Sequence, residues 1–319
     1  NPGNRNNEIG LPLAVIDAPE DADFAIYEMG AGKPGDIAYL TAIARPDVSL
    51  VNNIAPAHLE RMGSLQGVAE TKGAIHDALP ADGVAVVNAD DDFAAYFIGR
   101  LHDRRVLRFA VEADADVRAR DIRHEADGSR FVLVSPQGDT EVLLPMPGRH
   151  NVANALAAAS MALAVGASVA QVRAGLEAVQ PVAGRLVAHA LRSGAVLVDD
   201  SYNANPGSLA AAIDTLASSG DEAWLVLGDM RELGAGEAAL HAQAGEHAKA
   251  AGIARLFTLG DLSAHAAQAF GEGARAFDTH EALADAVAAG LRPGVRVLVK
   301  GSRGSAMDRI VKALLQRDA

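Results

Sequence analysis

Several strings in this sequence end apolar runs in residues suited to phosphates, carboxylates or divalent cations. "LVDDSYNANPGS", residues 197–208, closes such a run with Asp199 and Asp200 and then turns. Asn205 and Pro206 account for that turn cheaply, as a helix cap and a first-turn proline. They leave Asp200 unexplained, and a carboxylate there suits paired ribose hydroxyls. "VKGSRGSAM", residues 299–307, places Lys300, Ser302 and Arg303 where a helix is expected to begin. Two cations, a hydroxyl and a helix dipole can together hold a carboxylate or a phosphate.

The first half offers a second set. "EMGAGKPGDI" puts Glu28 near the end of an apolar run, and "VNNIAPAHLERMG" puts Asn52, Asn53 and His58 after the next. A carboxylate and an imidazole at consecutive strand ends face one crevice, which raises a metal or phosphate site above background. Gly30 to Gly35 fits G-x-G-x-x-G, but Tyr27 stands where a phosphate loop needs its first glycine and Pro34 where it needs Ser or Thr. A glycine-rich turn is the better reading. In "GVAETKGAIHDAL", Lys72 reads on spacing alone as a solvated lysine, since Glu70 is two residues away and on another face. "GRHNVANALAAA" spaces Asn151 and Asn154 on one helix face. Asn151 suits an N-cap, and the pair could instead read an adenine edge.

Positioning these groups requires short apolar runs alternating with Ala-rich helical segments, the pattern of a largely parallel sheet covered by helices. Strands are expected at 24–29, 48–54 and 83–88, and helices at 36–44, 64–78 and 91–101. From Arg105 to Leu144 the texture changes to short strands with turns at Asp127-Gly128 and Gln137-Gly138, an antiparallel extension. A long helix from about Asn151 to Gly166 and another over 168–179 lead to a break at Pro181 and Gly184, read as the domain boundary. Beyond it, strands at 195–198, 224–227, 256–259 and 295–299 alternate with helices at 208–217, 237–251, 280–289 and 305–315.

The chain has 319 residues, half of them hydrophobic, enough for two cores. Its net charge of −13 disfavours nucleic acid and anionic membranes as partners of the surface as a whole. With no cysteine it has no disulfide or thiolate metal site. No apolar run reaches the ~20 residues of a membrane span, and the chain is read as cytoplasmic and monomeric. The polar opening "NPGNRNNEIG" reads as a cut end.

Taken together, eight strings in one order resemble the Mur ligase family, the ATP-dependent amino-acid-adding enzymes of peptidoglycan synthesis. They are "GNRNNEIGLP", "EMGAGKPGDI", "NNIAPAHLERMGS", "VAETKGAI", "LPMPGRHNVANALAA", "DDSYNANPGS", "LGDMRELG" and "VKGSRGSAM", and they span nearly the whole chain. The resemblance implies an α/β fold in two parts. Residues 1–182 would form a central P-loop-type mixed-sheet domain, truncated at its N-terminus, and residues 183–319 a Rossmann-like C-terminal domain.

It also implies a reaction. ATP phosphorylates the terminal carboxylate of UDP-N-acetylmuramoyl-tripeptide, and the amine of D-alanyl-D-alanine attacks the acyl phosphate. By resemblance Glu28, His58 and Lys72 are catalytic and hold Mg²⁺, Lys72 as a carbamate, which replaces the solvated-lysine reading. Asn151 and Asn154 match the adenine region, Arg185 a nucleotide-phosphate contact, and Asp200 and Tyr202 the ribose contacts. Asn4, Asn6 and Asn7 match the motif facing the muramoyl peptide, and Lys300, Ser302 and Arg303 the region of the dipeptide carboxylate. The family's G-x-x-G-K-[S/T] loop does not occur in these residues. The expectation is therefore that this chain alone does not ligate. Two other readings are a non-catalytic nucleotide- and dipeptide-binding remnant, and another ligase of the family such as a folylpolyglutamate synthase.

Overall fold

In the computed structural model, residues 1, 3–56, 58–125, 128–180 and 182–318 are described. Asp127 of the expected turn and Pro181 of the expected break lie outside them. Among the described residues, two six-stranded sheets organise the fold. One compact unit comprises Asn1–Arg123, Arg130–Leu143 and Asn151–Ala178, the other His124–Ser129, Leu144–His150 and Val179–Ala319.

The first sheet runs in chain order: β1 (Val48–Val51), β2 (Val84–Asn88), β3 (Arg105–Ala110), β4 (Val117–Glu125), β5 (Gly128–Ser135) and β6 (Gly138–Leu144). β1, β2, β3 and the start of β4 pair in parallel. The parallel part therefore includes Arg105–Ala110, which the sequence assigned to an antiparallel block. The bend between β3 and β4 is held by Asp90, whose carboxylate accepts the amide hydrogens of Val111, Glu112 and Ala113. Two residues separate β5 from β6, too few for a parallel crossover, so these strands fold back on each other.

Helices α1 (Gly10–Ile16), α2 (Asp36–Ala44), α3 (Leu59–Met62), α4 (Leu65–Asp77), α5 (Ala94–Arg100), α6 (Arg149–Ala164) and α7 (Val169–Glu177) accompany this sheet. Ser64 starts α4 by accepting from the Gly67 amide, and Ser168 starts α7 with Gln171 in a capping box. Val51, Ala69, Val87, Phe97 and Leu101 form one core cluster, and Leu11, Ile37 and Leu40 another.

Phe24 to Met29 is not a strand. Ile26 is 80% exposed, and the segment is tied to the N-terminal loop instead: Gly30 donates to the Asn6 carbonyl, and the Glu28 amide donates to Asn1 Oδ1. Its apolar composition suits a strand, but no described strand pairs with it. Asn151 is not an N-cap either, because α6 begins two residues earlier and Asn151 is buried within its first turn.

The second sheet has the order β11-β10-β9-β12-β8-β7. Its strands are β7 (Val187–Ala190), β8 (Val196–Asp200), β9 (Glu222–Gly228), β10 (Arg255–Leu259), β11 (Ala274–Phe277) and β12 (Val295–Lys300), all parallel except β7 against β8. Successive residues alternate between two cores, as a pleat requires. Leu197, Trp224, Val226, Phe257, Val297 and Val299 pack with Leu283, Val287, Ile310 and Leu314 of α11 (His280–Ala288) and α12 (Asp308–Asp318). Val198, Leu225, Leu227, Leu256 and Leu298 pack with Leu209, Ile213, Ala248 and Ala266 of α8 (Pro206–Ala217), α9 (Glu237–Ala250) and α10 (Ser263–Phe270). Each such Leu or Val contributes about 1.5–3 kcal/mol of hydrophobic stabilisation. Helices on both faces leave the ends of the parallel strands as the open rim, where folds of this class bind ligands.

Candidate functional site

In the first unit, the loop leaving β1 is fixed from four directions. The Asn52 amide group donates to Asn154 Oδ1 at 2.8 Å, and the Asn52 carbonyl accepts from Asn88 Nδ2 at 3.0 Å. Lys72 Nζ donates to the Asn53 carbonyl at 3.3 Å, and the Ile54 amide donates to Asp91 Oδ2 at 2.7 Å. Residues from β1, β2, α4 and α6 thus converge beyond the carboxyl ends of the strands. Asn154 also donates to Asn151 Oδ1 at 3.4 Å, so the two asparagines share one face, as their spacing requires. Asn88 and Asp91 escaped the sequence reading; Asn88 at a strand end, followed by three aspartates, was the available signal.

Lys72 is half-buried on α4, and burial lowers its pKa against the opposing attraction of Asp91. A larger share of its amine is therefore uncharged than in an exposed lysine. His58 occupies the left-handed region at φ +52° just before α3. Glu28 Oε1 accepts from Asn6 Nδ2 at 3.0 Å, joining the expected cation ligand to the polar N-terminal motif. Within that motif Asn7 Oδ1 receives the amides of Ile9 and Gly10, which fixes the start of α1. A β-carbon on Gly10 would lie 2.6 Å from Arg5 Cα, so the loop carrying Asn4, Asn6 and Asn7 needs glycine there. The glycine turn after Glu28 is not an anion cradle: the amides of Gly32 and Lys33 both donate to Asp36 Oδ2 at 2.9 Å. Among the described residues, no three His, Asp or Glu side chains form a group able to hold a metal ion by themselves.

In the second unit the ends of β8, β9 and β12 form the rim. Asp200 and Lys300 are cross-strand partners in the parallel ladder, and Lys300 Nζ lies 2.6 Å from Asp200 Oδ2. Burial raises the Asp200 pKa, opposed by Lys300, by the Leu186 amide hydrogen bond and by Arg185. The Arg185 guanidinium stacks on the Tyr202 ring at 4.4 Å. Gly184, at φ +75°, passes so close that a β-carbon would lie 3.1 Å from Tyr202. Asn205 Oδ1 accepts the Ser208 amide at 2.8 Å and caps α8, with Pro206 as its first residue.

Ser302 faces inward, accepting the Arg231 amide at 2.8 Å and donating to the Ala204 carbonyl at 3.3 Å. Arg303 is exposed. These residues do not sit directly on a helix N-terminus. A 3-10 turn at Arg303–Ser305 and a left-handed Ala306 intervene before α12 begins at Asp308. Two supports were invisible in sequence: His241 Nε2 accepts the Met230 amide at 2.9 Å, and Asp229 Oδ1 accepts the Ser263 amide at 2.7 Å.

Residues 1–162 match the family described as "Mur ligase middle domain", and residues 184–303 match "Mur ligase, glutamate ligase domain". The UDP-N-acetylmuramoyl-tripeptide--D-alanyl-D-alanine ligase of Escherichia coli K12 is 43% identical over 98% of this chain and 70% of its own length. The crystal structure of MurF from Acinetobacter baumannii superposes with a TM-score of 0.93 at 31% identity, over 98% of this chain and 69% of that one. MurF ligase from Thermotoga maritima in complex with ADP does so with a TM-score of 0.85 at 25% identity, over 100% and 74% of the two chains. The order of motifs, the two sheets with polar rims and these matches lead to one statement: the chain belongs to the Mur ligase family.

Proposed function

We propose that this chain carries the central and C-terminal parts, residues 1–182 and 183–319, of an ATP-dependent ligase that joins D-alanyl-D-alanine to UDP-N-acetylmuramoyl-tripeptide. The observation that carries this reading is its likeness, along 98% of its length, to a ligase bearing that name. The polar rims of both sheets supply the chemistry in support. The tripeptide carboxylate attacks the γ-phosphorus of ATP, and ADP leaves. The dipeptide amine then adds to the acyl phosphate, loses a proton and expels phosphate as the amide forms. A carboxylate is a poor electrophile until one of its oxygens becomes a leaving group, which is why ATP is consumed.

Asp200 and Tyr202 suit the ribose, Arg185 a phosphate, and Asn151 with Asn154 the adenine edge. Asn4, Asn6 and Asn7 suit the muramoyl peptide. Arg303, exposed beyond β12, is the cation suited to the dipeptide carboxylate, while Lys300 and Ser302 point into the turn after β8. Mg²⁺, when bound, offsets the charge of the converging phosphates. Glu28 and a carbamate on Lys72 would offer it oxygens and His58 a nitrogen, an oxygen-rich set that suits this ion. The depressed Lys72 pKa supports that fit, because only the neutral amine takes up carbon dioxide. We place the reaction in the cytoplasm and the protein as a monomer; among the described residues no helix is long and apolar enough to cross a membrane.

The test is turnover by the protein that contains these 319 residues. ADP, phosphate and the extended peptide nucleotide should form only when ATP, the tripeptide nucleotide and the dipeptide are all present. Transfer of glutamate to a folate, or ATP use indifferent to the dipeptide, overturns the reading. The folate alternative is not favoured by the relatives' names, and a binding remnant would give no product.

A further inference from the structure

Lys300 carries a cation in a place where an incoming ligand cannot readily use it. The residue is 3% exposed, at the last register position of β12, opposite Asp200 of β8. Its ammonium donates to Asp200 Oδ2 at 2.6 Å and to the Asn203 carbonyl at 3.0 Å. Two residues further along, the Ser302 hydroxyl donates to the next carbonyl of the same turn, that of Ala204, at 3.3 Å. The end of β12 therefore grips two consecutive carbonyls and one carboxylate of the segment that follows β8. Asp199, on the opposite side of the pleat, secures that segment through the Ser201 amide and hydroxyl. If Lys300 turned outward to pair with a ligand carboxylate, Asp200 would be left buried and without its ammonium. Abandoning one member of such a pair is strongly unfavourable.

We propose that Lys300 is a positioning residue for nucleotide recognition, holding Asp200 and the Asn203 carbonyl so that the 200–205 turn keeps Asp200 and Tyr202 in their binding geometry. This rests on the reading above in which Asp200 contacts the nucleotide. It removes Lys300 from the group that captures the dipeptide carboxylate and leaves that task to Arg303. Lys300 acts chiefly through Asp200, so most of its effect must disappear when Asp200 loses its charge, leaving only what the Asn203 contact contributes.

The experiment is a double-mutant cycle on the protein containing this chain: Asp200→Asn, Lys300→Met and both together. Calorimetric ADP affinity and the KM values for ATP and D-alanyl-D-alanine are measured for each. Lys300→Met should weaken ADP binding and raise the ATP KM by about 10-fold or more. The dipeptide KM should stay within about 2-fold, and in the Asp200→Asn background Lys300→Met should add less than about 2-fold. Lys300→Arg should recover part of the nucleotide affinity. The double variant buries no unpaired charge, so it keeps the cycle readable if Lys300→Met alone folds poorly. A rise in the dipeptide KM with nucleotide affinity unchanged overturns the proposal, as does a Lys300→Met effect that is undiminished in the Asp200→Asn background. If Asp200→Asn itself leaves ADP and ATP unaffected, the nucleotide reading of Asp200 fails instead.

Discussion

His76 Nδ1 and Ser49 Oγ meet at 2.8 Å between α4 and β1, and both side chains are buried. Phe97 sits edge-on to the imidazole, and the other ring nitrogen has no hydrogen-bond partner among the described residues. Burial holds the His76 pKa down to about 4, so the ring is neutral in the native state. The unfolded chain takes up that proton near the ordinary value of 6.5 and the folded chain does not. The associated stability is complete above pH 6.5 and falls as the pH drops towards 4, by about 3 kcal/mol at most. Denaturant titrations at stepped pH should show a flatter acid slope in His76→Gln than in the parent. His150, also held to about 4 chiefly by burial, titrates in both proteins and cancels in the difference. Identical slopes would mean that His76 is not the buried neutral group.

Lys72→Arg keeps a cation on α4 but cannot carry a carbamate. Turnover should fall on the order of 100-fold, with the thermal melt close to that of the parent. Intact-mass measurement at neutral pH should find one added carbon dioxide in the parent and none in the variant. An arginine variant with parental turnover would remove Lys72 from the proposed cation site.

Gly184→Ala adds a β-carbon at φ +75°, 3.1 Å from Tyr202. The left-handed backbone alone costs about 1–2 kcal/mol. The larger consequence is that Tyr202 must shift under Arg185, so ADP affinity should drop more than stability does. Titration calorimetry beside a denaturation curve separates the two, and an affinity equal to the parent's would show that the stack is dispensable.

Asn205→Ala removes the cap of α8, where Asn205 and Ser208 satisfy each other's backbone amides. A loss of about 1 kcal/mol is expected, read as a lower denaturation midpoint with an unchanged slope. Asn205→Asp, which can cap as well, should restore it.

Much of the second unit was legible because its strands are buried on both faces and its helices carry local start signals. The expected strand at 256–259 lies one residue inside β10, and Asn205 with Pro206 marks the start of α8. The short strands β7 and β11 were missed: each has four residues and lies at a sheet edge, so neither carries a long apolar run. Phe24 to Met29 misled for the opposite reason, since apolar composition says what a segment could pair with and not whether a partner lies beside it. Asn151 misled because a polar residue near a helix start resembles a cap even when the helix begins earlier. The pairing of Asp200 with Lys300 lay beyond any periodicity argument, because the two are 100 residues apart and meet only through strand order.

That strand order bears on how the chain acquires its shape. β12 lies between β8 and β9, although β9, β10 and β11 all precede it in sequence. During synthesis the middle of the second sheet must wait for a segment that emerges after the other five strands. Until then the facing edges of β8 and β9 have no neighbour, with Leu197, Val198, Leu225 and Val226 among their residues. Unpaired apolar edges of this kind invite association between nascent chains. The 200–205 turn is thus completed at the step that closes the sheet, and a ribosome stalled before residue 295 would hold a chain exposed to aggregation rather than a smaller version of the enzyme.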